Sequence, residues 1–380
     1  MKYVDEYRDG KVARQIAAAI AEAADPARLY HFMEFCGGHT HAISRYGLED
    51  LLPPNVRMVH GPGCPVCVLP IGRIDMAIRL AQRPEVTLCT YGDLMRVPGS
   101  HGASLLRAKA AGADIRMVYS TLDAIAIAEA EPAREVVFFA IGFETTTPPT
   151  ALAVKLARAK GLTNFTVFCN HVLTPPAIRG ILEAPQTGDA AAVALDGFVG
   201  PAHVSAVIGS DAFAGFAQEF AKPVVVAGFE PLDVIQAILM LIRQVNDGRH
   251  QVENQYIRAV TGEGNRRAQA EVAEVFELRD SFEWRGFGAV PASGLKLRES
   301  YAAFDAERRF TMPEISAADN PACECGTILR GIKRPTDCKL FGTLCTPETP
   351  MGSCMVSSEG ACAAHWTYGR FRDHARRAVA

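Results

Sequence analysis

Cys64 and Cys67 stand two residues apart in a stiff loop, Gly61-Pro-Gly-Cys-Pro-Val-Cys67. Two thiols at this spacing can close a disulfide, supply half of a metal site, or do both in turn. No second Cys-x-x-Cys exists in the chain to complete a zinc ribbon, so redox chemistry is the preferred reading. A second cluster, Cys36-Gly-Gly-His-Thr-His41, sets a thiol and two imidazoles, His39 and His41, beside glycines that let a ligand come close. Six further cysteines, Cys323, Cys325, Cys338, Cys345, Cys354 and Cys362, fall in a Gly- and Pro-rich stretch with little regular pattern. Such a stretch needs a covalent or metal staple to hold its shape. Four thiolates suit zinc or a 4Fe–4S cluster. The redox-capable pair elsewhere in the chain favours the cluster. Cys89 and Cys169 lie in apolar runs and read as buried structural thiols.

The elements around these residues are strands that end in reactive loops. Leu29 to Phe35 is an apolar strand running into Cys36, with a helix expected from near Thr40. Val56 to Val59 leads into the Cys64 loop, and apolar residues at helical spacing follow from Ile71. A helix N-terminus favours thiolate over thiol, which predicts a lowered pKa for Cys36 and for the Cys64/Cys67 pair. Asp93 ends another strand, in Gly92-Asp-Leu-Met-Arg-Val-Pro-Gly-Ser100, and Glu144, His171 and His203 end three more. Helix capping accounts for Asp93 or Glu144 taken singly. His171 and His203 fit a satisfied core histidine as well as a site.

Alternating strands and helices predict an α/β fold with parallel sheets and binding loops at the strands' carboxyl ends. The stations Gly197-Phe-Val-Gly-Pro-Ala-His203 and Gly228-Phe-Glu-Pro231 parallel the Cys64 and Gly92 loops, which predicts an internal duplication. The expected division is a first α/β domain at 25–130, a second at 131–229, and a helical, Cys-rich part formed by 1–24 with 230–380. At 380 residues, with 49% hydrophobic and 21% charged residues, the chain has the composition of a soluble globular protein. A net charge of −3 gives no basic footprint for nucleic acid. No apolar run reaches membrane-spanning length, and the first residues lack a signal-peptide core. A cytoplasmic protein is expected. Eleven cysteines in that reducing setting point to metal or redox work.

The motifs at Cys36, Gly61 and Gly92, with the fourteen-, six- and sixteen-residue gaps between Cys323, Cys338, Cys345 and Cys362, resemble the HypD family of hydrogenase maturation proteins. The resemblance runs essentially end to end. It implies two similar α/β domains plus a domain holding a 4Fe–4S cluster on Cys323, Cys338, Cys345 and Cys362, with Cys325 and Cys354 spare. It implies work with a small HypC-type chaperone and a HypE-type cyanide carrier to build the Fe(CN)2CO unit of nickel–iron hydrogenase, whose large subunit is an indirect partner. It puts Cys36 on the transient iron, with His39 close by; Cys64, Cys67 and Asp93 complete the candidate catalytic set. The choice of Cys323 over Cys325 rests on the family spacing alone. A rival reading is an iron–sulfur-dependent disulfide reductase acting on proteins, and a third is a zinc-stapled binding module.

Overall fold

The computed structural model describes residues 4–183, 193–312, 315 and 317–370. The ends of the expected third part, 1–3 and 371–380, lie outside the described residues. Two parallel sheets carry the molecule. The first takes β1 (Tyr30–Glu34), β2 (Val56–His60), β7 (Gly197–Pro201), β8 (Val224–Ala227) and β9 (Val252–Asn254) in the order β2-β1-β7-β8-β9. The second takes β3 (Val86–Thr90), β4 (Ile115–Met117), β5 (Glu135–Gly142) and β6 (Phe165–His171) in the order β4-β3-β5-β6. Every pairing within them is parallel. Two antiparallel pairs follow: β11 (Ser281–Trp284) with β12 (Gly288–Pro291), and β10 (Phe276–Leu278) with β13 (Leu295–Leu297).

The strands bury both faces, as parallel sheets require. On β5, Val137, Phe139 and Ile141 join one core while Val136, Phe138 and Ala140 join another. On β1, Tyr30 and Phe32 face the helices Gly10–Ala23 and Pro231–Asn246, and Met33 faces the opposite side. The Cys-rich segment packs on the odd-numbered face of β5, in the same apolar cluster as Cys64 and Cys67. No described helix is long and apolar enough to cross a membrane.

The sheets do not divide at residue 130. Strands β1 and β2 pair with β7 to β9, and β3 and β4 pair with β5 and β6, so the second sheet is inserted within the first. Numbered within its own sheet, each has the doubly wound order 2-1-3-4, extended by a fifth strand in the first. The repeat is therefore nested. β7 and β8 correspond to β5 and β6, not to the strands before the Cys64 and Gly92 loops as the paired stations predicted. Alternation in a sequence reports what each segment is, but not which distant strand it pairs with, and this accounts for the difference. The helix after β1 also starts earlier than expected, at Gly37, with Cys36 as its N-cap.

Candidate functional site

In a doubly wound sheet, the loops leaving the two central strands in opposite directions open a crevice. In the first sheet those strands are β1 and β7, and the residues just past their ends are Cys36 and His203. Cys36 Sγ lies 3.2 Å from His203 Nδ1 and accepts a hydrogen bond from Gly38 N–H at 3.3 Å. The Cys36 N–H is held by Glu34 Oε2 at 2.9 Å. Glu34 is wholly buried; it also accepts from the Thr40 hydroxyl and faces His60 Nδ1 at 2.8 Å. Phe229, from the loop after β8, packs against both His39 and His203 with ring centroids 5.0 and 5.5 Å apart.

The electrostatics reverse the thiolate expectation for Cys36. Burial pushes its thiol well up, Glu359 and Glu34 push it further, and the N–H groups of Gly38 and His39 offset only part of this. Burial, assisted by His39, pulls His203 down to about 4. The resting pair is a neutral thiol beside a neutral imidazole. His39 is fully buried. Its Nε2 sits 3.0 Å from Ala227 O and 3.1 Å from Gly228 O, so Nε2 carries the proton. Nδ1 then holds a free lone pair, and it has no hydrogen-bond partner among the described residues.

The Cys64 loop lies directly against Cys36. Gly37 N–H donates to Gly63 O at 3.2 Å. A Cβ at Gly63 would fall 2.3 Å from the Cys36 nitrogen, so only glycine fits there. Cys64 and Cys67 are joined as a disulfide with Cα atoms 5.2 Å apart, and both are buried. The disulfide touches the Cys-rich segment through Ser353: its Oγ donates to Cys67 O at 3.0 Å, and its carbonyl oxygen lies 4.0 Å from Cys67 Sγ. The next residue, Cys354, donates its N–H to Cys325 Sγ at 3.4 Å. Cys323, Cys325, Cys338, Cys345 and Cys362 then line one apolar pocket. Cys354 does not line it, whereas Cys325 does, alongside Cys323. No three His, Cys, Asp or Glu side chains among the described residues are set to hold a single metal ion.

The other candidates separate from this line. Asp93 is exposed, and its charge reaches Glu359, whose side chain packs where a Cβ at Gly37 would go. His41 bonds Tyr368 OH at 3.0 Å. Glu144 accepts from Thr174 N–H at 2.7 Å and from its hydroxyl at 2.9 Å, capping the helix Thr174–Leu182. His171 is a core histidine bonded to Thr150 at 3.0 Å, and burial pulls it down to about 4. Glu34, His60, Ser353, Phe229 and Glu359 were not singled out from the sequence. Each gains its place from a contact between distant segments, or, for Glu34, from burial behind a strand end.

Residues 11–369 match the family described as HypD, hydrogenase formation hypA family. The chain belongs to the HypD family. It is 74% identical to hydrogenase maturation factor HypD of Rhizobium leguminosarum bv. viciae, over all of both chains. It is 66% identical to the Cupriavidus necator protein of that name, over 98% of each chain. Identity to the Escherichia coli K12 protein is 48%, over 97% of this chain and 98% of that one.

Proposed function

We propose that the protein is a hydrogenase maturation scaffold that holds an iron ion on Cys36 while, with HypC-type and HypE-type partners, its CO and cyanide ligands are installed. One observation carries this reading: sulfur sites line up from Cys36, across the Gly63 contact, through the Cys64–Cys67 disulfide and Ser353, to the five-thiol pocket. The iron is cargo. As the metal binds, the Cys36 thiol loses its proton, which His203 Nδ1 at 3.2 Å can pass on toward solvent, and the sulfur lone pair so freed holds the iron; a soft thiolate suits low-spin iron. The His39 Nδ1 lone pair, buried and unpartnered among the described residues, is a second donor on the helix that Cys36 caps. Phe229 and Glu34 hold the two histidine-bearing loops and the Cys36 backbone in place.

The pocket fits a 4Fe–4S cluster by its donor chemistry, since several thiols converge on an apolar space. Cys338, Cys345, Cys362 and one of Cys323 and Cys325 would hold it, and bound there it would supply single electrons. Ser353 fixes the disulfide against this module. A disulfide in which both sulfurs are buried is poorly placed to meet a protein disulfide, which disfavours the reductase reading.

Anaerobically purified protein should contain iron and acid-labile sulfide. In complex with the small chaperone it should show infrared bands of CO and cyanide on iron. Cys36→Ala should keep the sulfide content and the fold and lose those bands. Bands at full strength in Cys36→Ala would place the iron elsewhere, and zinc without sulfide would remove the cluster.

A further inference from the structure

Among the described residues Arg285 is the one buried Lys or Arg, at 3% exposure. It follows β11, and its backbone is wedged between the two redox elements. Its N–H donates to Val68 O at 2.8 Å, one residue past Cys67. Its neighbour Gly286 touches the backbone of Gly326, one residue past Cys325. The guanidinium lies within electrostatic reach of Cys354. Its Nε sits 3.4 Å from Asp319 Oδ1 without hydrogen-bond alignment, and Nη2 has no hydrogen-bond partner among the described residues. Asp319 is 39% exposed, so water screens that contact. Two buried carboxylates have a cationic partner: Asp233 has Arg258 and Glu34 has His60.

A buried charge without a full partner is strongly unfavourable, so a chain retains one where a partner arrives. We propose that Arg285 is a positioning residue, the built-in counter-charge for an anionic thiolate-bound group in the cysteine pocket, and that it raises that group's reduction potential. The inference rests on the cluster reading above. Four thiolates outweigh the charge of the iron–sulfur core, so the group is an anion. Reduction makes it more negative, so a fixed cation favours the reduced form. In the metal-free chain the same cation is a liability.

The test uses the full chain as wild type, Arg285→Met and Arg285→Lys, each with iron and sulfide and after chelation. Arg285→Met should raise the melting temperature of the metal-free protein and lower that of the iron–sulfur form. A purely structural arginine would move both the same way. In a redox titration followed by electron paramagnetic resonance, Arg285→Met should shift the oxidised-to-reduced ratio at least tenfold toward oxidised, about 59 mV for one electron. Arg285→Lys should recover most of that shift. Stability changes of one sign in both forms, or an unchanged potential, would overturn the inference. If Arg285→Met does not accumulate, Arg285→Gln against Arg285→Lys makes the same comparison of charge lost and charge kept. Wild type lacking iron and sulfide would instead sink the cluster reading, and the counter-charge with it.

Discussion

At the scale of single residues, burial decides the behaviour of the ionisable groups. Glu144 is 5% exposed, and burial pushes its carboxyl up to about 7, although two bonds from Thr174 oppose the shift. A group whose folded pKa exceeds its unfolded value adds stability below the unfolded value and loses it as pH rises through the folded one. Between pH 4.5 and about 7 the fold should therefore lose stability at this residue, on the order of 3 kcal/mol. Glu144→Gln keeps an acceptor for Thr174 and should flatten that part of the pH profile, as thermal melts from pH 5 to 8 would show. An equally steep profile in the variant would assign the dependence to another group. For Cys64 and Cys67, mild oxidation of the reduced protein should remove two hydrogens by mass spectrometry, and Cys64→Ser should abolish the loss. An unchanged wild-type mass would make the pair purely structural. The closeness of Cys64 and Cys67 was legible because their spacing is local, whereas the contact between the Cys36 and Cys64 loops joins segments far apart in the chain. His203 could not be chosen over His171 by type or spacing, since what separates them is a contact with Cys36 in one and with Thr150 in the other. The thiolate expectation for Cys36 failed because a helix N-terminus acts locally, whereas desolvation and Glu359 come from the packed molecule.

At the scale of elements, strand types and most helix positions were readable from alternation, because a parallel strand buried on both faces is a short apolar run. Pairing was not. The short strand β9, the pairs β10–β13 and β11–β12, and the helices Ala202–Ile208 and Ala214–Glu219 carry too little periodicity to stand out. What holds the reactive loops together is close backbone approach. Gly63→Ala puts a methyl group into the Cys36 backbone, at 2.3 Å from its nitrogen and 2.4 Å from its Cα. Backbone cannot rotate away as a side chain can, so a loss of about 1–3 kcal/mol is expected. Gly215, inside the helix Ala214–Glu219, has nothing near its added Cβ. Gly215→Ala should stabilise the fold by roughly 0.5–1 kcal/mol. Denaturant melts of the two variants give the comparison. Equal effects would show that the Cys36 and Cys64 loops separate freely.

At the scale of the whole molecule, three contacts of the Cys-rich module fall near the reactive cysteines: Ser353 to Cys67, Glu359 beneath Gly37, and Tyr368 to His41. Each tie lands beside a reactive cysteine, so the order of the module and the geometry of the site are coupled. The module's own regular structure is short, with the helices Cys325–Leu329 and Ala361–Ala364 the main pieces. Such pieces hold little by themselves, so the group proposed for the thiols would supply much of their order. Chelating the metal should therefore raise amide exchange across 323–370. Through Ser353 and Glu359 the change should spread to 36–38 and 64–68. Strands β3 and β5, central in the second sheet and buried on both faces, should keep their protection. Ser353→Ala in the metal-loaded protein removes one hydrogen bond, about 1 kcal/mol. It should loosen 64–68 while leaving 338–345 protected. Exchange that rises in the module after chelation but never reaches Cys67 in either experiment would mean that the disulfide and the cysteine pocket are mechanically independent.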